Sequence, residues 1–182
     1  MIPGRGRLPP GQAVLWDDDQ VDGSDGLVQV TAGDGPDGVK ESAVIWARAK
    51  ACRDQDPEPA TAEDTMPGIR RRLGIDGAKL LLARRDDVPV GFTLVAPRAQ
   101  TLEIFYLAVD PDAWGSGVAS HLLLRAEAHA RAIGLETLEL WVINDNARAI
   151  GVYERSGWLD TAEVKRDPSS GRLERRFRKH VR

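Results

Sequence analysis

The stretch from Leu102 to Ile143 constrains the fold more than any other part of the chain. LEIFYLAV is a compact run of branched and aromatic side chains, the composition a buried strand needs. It gives way to the polar turn DPDAWGSG, and a helical stripe follows, with Val118, Leu122, Ala126, Ala130 and Ile133 on one face between Gly117 and Gly134. Gly134 is a suitable C-terminal stop. TLELWVI then alternates, placing Leu138, Leu140 and Val142 on one face and Thr137, Glu139, Trp141 and Ile143 on the other. Two strands joined through a helix this long run parallel, by a right-handed crossover.

Other elements arrange themselves around that unit. Strands are predicted at Leu27–Thr31, Ala78–Ala83 and Val88–Ala96, and the short turns RRDD and PRAQ make the successive strands up to Leu102–Val109 antiparallel. A helix is predicted over Val39–Arg53, with Val39, Ala43, Ala47 and Ala51 on one stripe and Trp46 beside it. A shorter one covers Thr65–Leu73, with Pro67 in its first turn and Gly74 closing it. NDNARAIGVYERSGW reads as an Asx-capped helix ending at Gly157, and two strands, Asp160–Lys165 and Leu173–His180, flank the turn DPSSG. Residues 1–26, rich in Gly, Pro and Asp, read as a flexible N-terminal tail, leaving 27–182 as a single domain. The order β-α-α-β-β-β-α-β-α-β-β describes an α/β fold of the α+β type, with a mixed, mostly antiparallel sheet and helices on its faces.

Composition excludes several classes. With 182 residues, 42% of them hydrophobic, the chain is long enough for one substantial core. No apolar run approaches the ~20 residues of a membrane helix. The N-terminus lacks a secretory apolar core, so a soluble, cytoplasmic protein with no membrane partner is expected. A single cysteine, Cys52, excludes internal disulfides and cysteine-based zinc clusters, and it has no apparent base to make it a nucleophile. His121, His129 and His180 have no metal-ligand spacing, so no metal is expected. His121 and His129 read as surface or boundary positions on their helix, and Arg70–Arg72 as a solvated helix end complementing the dipole. The net charge is −3, but residues 1–64 balance to −7 and residues 161–182 to +5. The basic segment reads as a solvated, Arg-rich edge strand rather than a nucleic-acid surface, because a net-negative protein has little long-range attraction for phosphate backbones.

The candidate chemistry begins where Gly115-Ser116-Gly117-Val118-Ala119-Ser120 opens a helix. Unpaired N–H groups and partial positive charge at a helix N-terminus receive anions, and glycines let the backbone approach a phosphate closely. A Walker A loop is excluded, since no lysine accompanies Ala119-Ser120. A dinucleotide fingerprint is excluded because His121-Leu122 stands where a third glycine belongs. Downstream stands Asn146-Ala147-Arg148-Ala149-Ile150-Gly151-Val152-Tyr153-Glu154-Arg155-Ser156-Gly157-Trp158.

Together, LAVDPDAWGSGVAS and this second segment resemble the GNAT superfamily of acetyl-coenzyme A-dependent N-acetyltransferases. The family loop, Gln/Arg-x-x-Gly-x-Gly/Ala, is matched by Trp114 to Ala119, with Trp114 departing at the first position. The second signature is met at Asn146, Ala149, Tyr153, Glu154 and Gly157, with Trp158 in place of Phe. The resemblance implies a GNAT-like sheet in which the parallel pair Leu102–Val109 and Thr137–Ile143 splays into a cofactor cleft. It implies that the backbone of Leu107, Ala108 and Val109 pairs with the pantetheine arm. Gly115, Ser116, Gly117, Val118, Ala119 and Ser120 would cradle the pyrophosphate, Asn146 would bond the arm, and Tyr153 would protonate the departing thiolate. Glu103 is the candidate base, placed by alternation on the face of Phe105 and Leu107, opposite Ile104 and Tyr106; Glu139 is a weaker one.

The implied partner is a small-molecule amine or peptide acceptor. Relatives that acetylate ribosomal protein N-termini tend to carry Glu where Trp141 stands, which favours the small molecule. Trp46, Trp141 and Trp158 are candidates either to wall the acceptor pocket or to fill the core. A homodimer is common in the family. The alternative is a non-catalytic acyl-coenzyme A sensor or interaction module that keeps the cofactor cleft.

Overall fold

The computed structural model describes residues 27–182, so the expected N-terminal tail, residues 1–26, lies outside the described residues. Strand β1 (Val28–Ala32) leads into helix α1 (Pro36–Asp54) and helix α2 (Ala62–Leu73). Strands β2 (Lys79–Arg85), β3 (Val88–Pro97) and β4 (Leu102–Val109) follow as antiparallel neighbours. After a 3₁₀ turn at Pro111–Ala113 come α3 (Val118–Ala132), β5 (Thr137–Ile143), α4 (Ala147–Arg155), β6 (Leu159–Arg166) and β7 (Leu173–His180). All seven strands form one sheet in the order β1-β2-β3-β4-β5-β7-β6, and its one parallel pair is β4 with β5.

Two helix starts differ from the sequence reading for local reasons. Pro36 sits in the first turn of α1, where its missing N–H costs nothing, so α1 begins ahead of Val39. In α2 the Thr61 hydroxyl accepts from the Asp64 amide while the Asp64 carboxylate accepts from the Thr61 amide. That reciprocal cap starts the helix at Ala62 and puts Pro67 inside it rather than in its first turn.

Helices cover both faces of the sheet. On one side Val39, Ala43, Ile45 and Ile69 of α1 and α2 pack on Leu80, Leu82, Phe92 and Leu94. On the other, Leu123, Ala126 and Ala130 of α3 and Tyr153 of α4 pack on Ile104, Leu138, Leu140, Val142 and Phe177. The alternation expected for β5 holds, with Leu138, Leu140 and Val142 buried.

The β4 alternation does not hold. Leu94 pairs with Tyr106 but Val95 pairs with Ile104, leaving Phe105 as an extra, bulged residue. Phe105 and Tyr106 therefore both pack against the α1–α2 core, while Ile104 and Leu107 pack against the α3–α4 core. Glu103 keeps company with Phe105, as expected, but with Tyr106 in place of Leu107.

Further corrections concern α3 and β7. Ile133 caps α3 instead of joining its stripe and is exposed, because the chain turns away at Gly134. His129 is buried at 8% exposure, since α3 lies across β1 to β5 and carries it toward Lys79 and Asp34. Burial, then the Lys79 charge, lowers its pKa and favours the neutral ring. β7 is not an edge strand. It lies between β5 and β6, and its basic residues are matched to carboxylates: Arg175 to Asp160, Arg176 to Glu163, Arg178 to Glu139 and Lys179 to Glu127. Among the described residues no helix is long and apolar enough to cross a membrane.

Close packing at Gly91 seats α3 on the sheet. A Cβ there would lie 2.8 Å from Val118 Cγ1 and 3.0 Å from the Ala108 carbonyl. Gly91→Ala is therefore expected to destabilise the fold by about 1–3 kcal/mol, read as a lowered urea midpoint with unchanged slope.

Candidate active site

The parallel pairing that joins the halves of the sheet is short. Leu102, Glu103 and Ile104 face Leu138, Glu139 and Leu140, and there the ladder ends. Beyond it, β4 still bonds to β3 through Leu107, Ala108 and Val109, while β5 bonds to β7 through Trp141, Val142 and Ile143. The flanks that face each other thus have no strand partner, and backbone polar groups in such a place call for one.

A cavity of about 660 Å³ opens along the β4 side of this gap. Its walls include Leu107, Ala108 and Val109 of β4, the Gly115–Ser120 turn, Asn146 and the α4 residues Ala149, Val152 and Tyr153. Trp46, Ala49, Cys52 and Arg53 supply the α1 wall. Of the residues expected to contact a cofactor, Ser116 alone does not line the cavity. Its hydroxyl donates to the Ala113 carbonyl at 2.6 Å, and the Arg85 guanidinium donates to its carbonyl and hydroxyl at 3.3 and 3.1 Å. Ser116 is a fixing point of the turn, and Arg85, which the sequence reading did not single out, is what fixes it.

Two glycines shape the turn by conformation. Gly115 and Gly117 have φ of 79° and 83°, and a Cβ at either would meet nothing within 4 Å. An L side chain there costs about 1–2 kcal/mol of backbone strain. Gly117 is the N-cap of α3 and supplies no side-chain cap, so the first amides of the helix stay available to the cavity.

Tyr153 reaches the cavity from α4. It is 6% exposed, its ring centroid 5.9 Å from those of both Trp158 and Phe177. Burial raises its pKa above the ordinary phenol value, so it holds its proton throughout the neutral range. Asn146 lines the cavity but also caps α4, its Oδ1 accepting from the Ala149 amide at 3.2 Å; the Nδ2 amide is its remaining donor.

The candidate bases lie apart from the cavity walls. Glu103 does not line the cavity, and its Oε2 accepts from Arg98 Nε at 2.8 Å. Glu139 is held by Arg178. Glu174 on β7 went unnoticed in the sequence because it sits in an arginine-rich run. Its pKa is raised by burial, opposed by Lys165, and raised again by Asp167 and by Glu103, so Glu103 and Glu174 feel each other's field. The tryptophans divide. Trp46 lines the cavity and stacks edge-on against Tyr106, Trp158 is buried beside Tyr153, and Trp141 lies under the Lys165 ammonium at 4.0 Å.

Ion pairs fasten α1 over the cavity. Arg48 bonds Asp110 and Asp112 beside the 3₁₀ turn. At the other end, Arg172 of the β6–β7 turn bonds Asp54 at 2.7 Å and Asp145 at 2.9 Å. Hydrogen bonds from Arg53 and then Arg172 hold the Asp54 carboxyl at about 2, so this strap keeps its charge at any pH well above that value.

Three comparisons bear on this arrangement. Residues 45–158 match the sequence model of the acetyltransferase (GNAT) family. The mycothiol acetyltransferase of Saccharopolyspora erythraea is 34% identical over 138 residues, 74% of this chain and 44% of that protein. That of Cellulomonas flavigena is 33% identical over 174 residues, 88% of this chain and again 44% of that protein. The chain thus spans under half the length of these relatives. Among solved structures, the ribosomal-protein-S18-alanine N-acetyltransferase of Escherichia coli superposes with a TM-score of 0.67 at 19% identity, over 85% of this chain and 94% of that one. The PaiA N-acetyltransferase of Thermoplasma acidophilum, solved with coenzyme A, gives 0.65 at 16% identity, over 85% and 99%. These likenesses bear out the expected mixed sheet with helices on both faces.

The strap makes its own prediction. Arg172→Ala is expected to speed hydrogen exchange at residues 51–56 severalfold, while changing global stability by less than about 1 kcal/mol, as for other exposed ion pairs.

Proposed function

The chain belongs to the acetyltransferase (GNAT) family, and we propose that it transfers an acetyl group from acetyl-coenzyme A to the primary amine of a small molecule. What carries this reading is the unpaired gap between β4 and β5, closed at one end by the glycine turn and reached from α4 by a buried phenol. Backbone groups of Leu107, Ala108 and Val109 pair with the pantetheine amides as a neighbouring strand would. The amides of Gly115 to Ser120 take the diphosphate, with Ser116 keeping the turn in shape. The Asn146 amide bonds the arm. The name shared by the mycothiol acetyltransferases supports a small-molecule acceptor over a protein N-terminus.

Transfer proceeds by direct attack with both substrates bound. The amine nitrogen forms a bond to the thioester carbonyl carbon, whose developing oxyanion is met by a β4 backbone N–H. The carbon–sulfur bond then breaks, sulfur takes the Tyr153 proton, and the second proton of the attacking nitrogen leaves through water and restores the phenol. Glu103 takes the amine proton through water from the α1 side of β4, which returns the acceptor to neutrality before attack, as an amine of pKa near ~10 requires.

Four outcomes test this. Monitoring thiol release with acetyl-coenzyme A and a panel of small amines should show acceptor-dependent turnover; cofactor binding with no such release would leave a sensing module instead. Tyr153→Phe should cut kcat about a hundredfold or more with nearly unchanged affinity for coenzyme A. Because the phenol pKa is raised, the wild-type rate should not decline up to about pH 10 through loss of that proton. Gly117→Glu, which adds bulk and negative charge at the turn, should weaken coenzyme A binding at least tenfold by calorimetry.

A further inference from the structure

The helix amides and glycine turn offer the cleft mouth only neutral donors, and the residue that leads into them, Trp114, carries no charge. Trp114 is nonetheless firmly placed. Its indole Nε1 donates to the Val109 carbonyl at 2.9 Å, and its ring packs against the cluster of Ala83, Val109 and Val118. On the face of that ring lies the guanidinium of Arg148, 4.2 Å from the centroid. Arg148 belongs to the first turn of α4, on the opposite lip of the gap, and both residues line the cavity beside Gly115 and Gly117.

Two other arginines of the cavity are spent, while Arg155, also without an ion pair among the described residues, stands at the C-terminal end of α4, away from the first turn that carries Arg148. Arg53 pairs with Asp54, and Arg172 with Asp54 and Asp145. Among the described residues Arg148 makes no ion pair with a carboxylate, and it is exposed. A guanidinium held over an aromatic ring keeps the planar fork of N–H donors that it carries in any setting. That is the geometry for a two-pronged bond to a phosphate, with part of the ordering cost already met before the ligand arrives.

We propose that Arg148, held on the Trp114 ring, is the cationic ligand for the diphosphate of the cofactor, clasping it from the α4 side while the turn and α3 amides hold it from below. The inference rests on the coenzyme A reading above. It assigns Trp114 a second task as the platform that positions Arg148, so the two residues act as one unit across the cleft mouth.

Calorimetry on the intact chain tests it with three ligands: coenzyme A, dephospho-coenzyme A, which lacks only the 3′-phosphate, and pantetheine, which has no phosphate and is read by competition. Arg148→Ala should weaken the first two by similar factors of tenfold or more and leave pantetheine unchanged. Arg148→Lys should restore only part of the loss. Trp114→Ala should reproduce most of it, and the double variant should be no weaker than Arg148→Ala alone. Equal affinities in wild type and Arg148→Ala overturn the proposal. So does a loss confined to coenzyme A, which would move Arg148 to the 3′-phosphate, or a loss that extends to pantetheine, which would mean damage to the cleft as a whole. Should the wild type itself bind no coenzyme A, the functional reading fails, a result distinct from any of these.

Discussion

The parallel bond between β4 and β5 is the constraint on which the rest depends. It joins the two halves of the sheet for three residue pairs and then stops, although both strands continue. A sheet opened in its middle leaves backbone donors and acceptors exposed along two facing flanks, a standing cost unless an extended ligand fills the place. The crossover helix α3 turns that opening into a site, because it begins where β4 ends and presents its uncapped amides at the mouth. Strand, turn and helix therefore supply a backbone-lined slot and a set of free helix amides from one continuous stretch of chain.

Keeping such a gap open without losing the fold requires fastening elsewhere. Hydrophobic packing does most of it: Leu123, Ala126 and Ala130 of α3 span from the β4 side to the β5 side beneath the splay. Charge does the rest. The basic residues of β7, which would burden an isolated strand, are matched by carboxylates on β5, β6 and α3. Exposed pairs contribute at most about 1 kcal/mol each, but Arg48 and Arg172 sit where α1 crosses the cavity and decide how that wall is held.

Much of this was legible in the sequence because the decisive elements carry local signals. Gly117, Gly134 and Asn146 mark helix ends by conformation and capping, and the alternation of TLELWVI holds because one of its faces is more open. LEIFYLAV is apolar on both faces, so alternation holds no information about a slip, and the bulge at Phe105 that regroups Tyr106 and Leu107 was invisible. Whether β7 lies inside the sheet or at its edge depends on strand order, which no local pattern encodes. His129 and Ile133 exchanged environments because the last turn of α3 is set by what it packs on rather than by its own period. Arg85 and Arg148 act on the turn from distant segments, and an exposed arginine in a helix or hairpin looks like any other until the fold brings it to its partner.

A crystal structure with coenzyme A bound tests the central claim most directly. The account predicts the pantetheine arm lying between β4 and β5, its amides bonded to the backbone of Leu107 to Val109, the diphosphate on the amides that open α3, and the sulfur within hydrogen-bonding reach of the Tyr153 hydroxyl. Coenzyme A found outside that gap, or a gap closed by β4 pairing with β5 along its whole length, would contradict it.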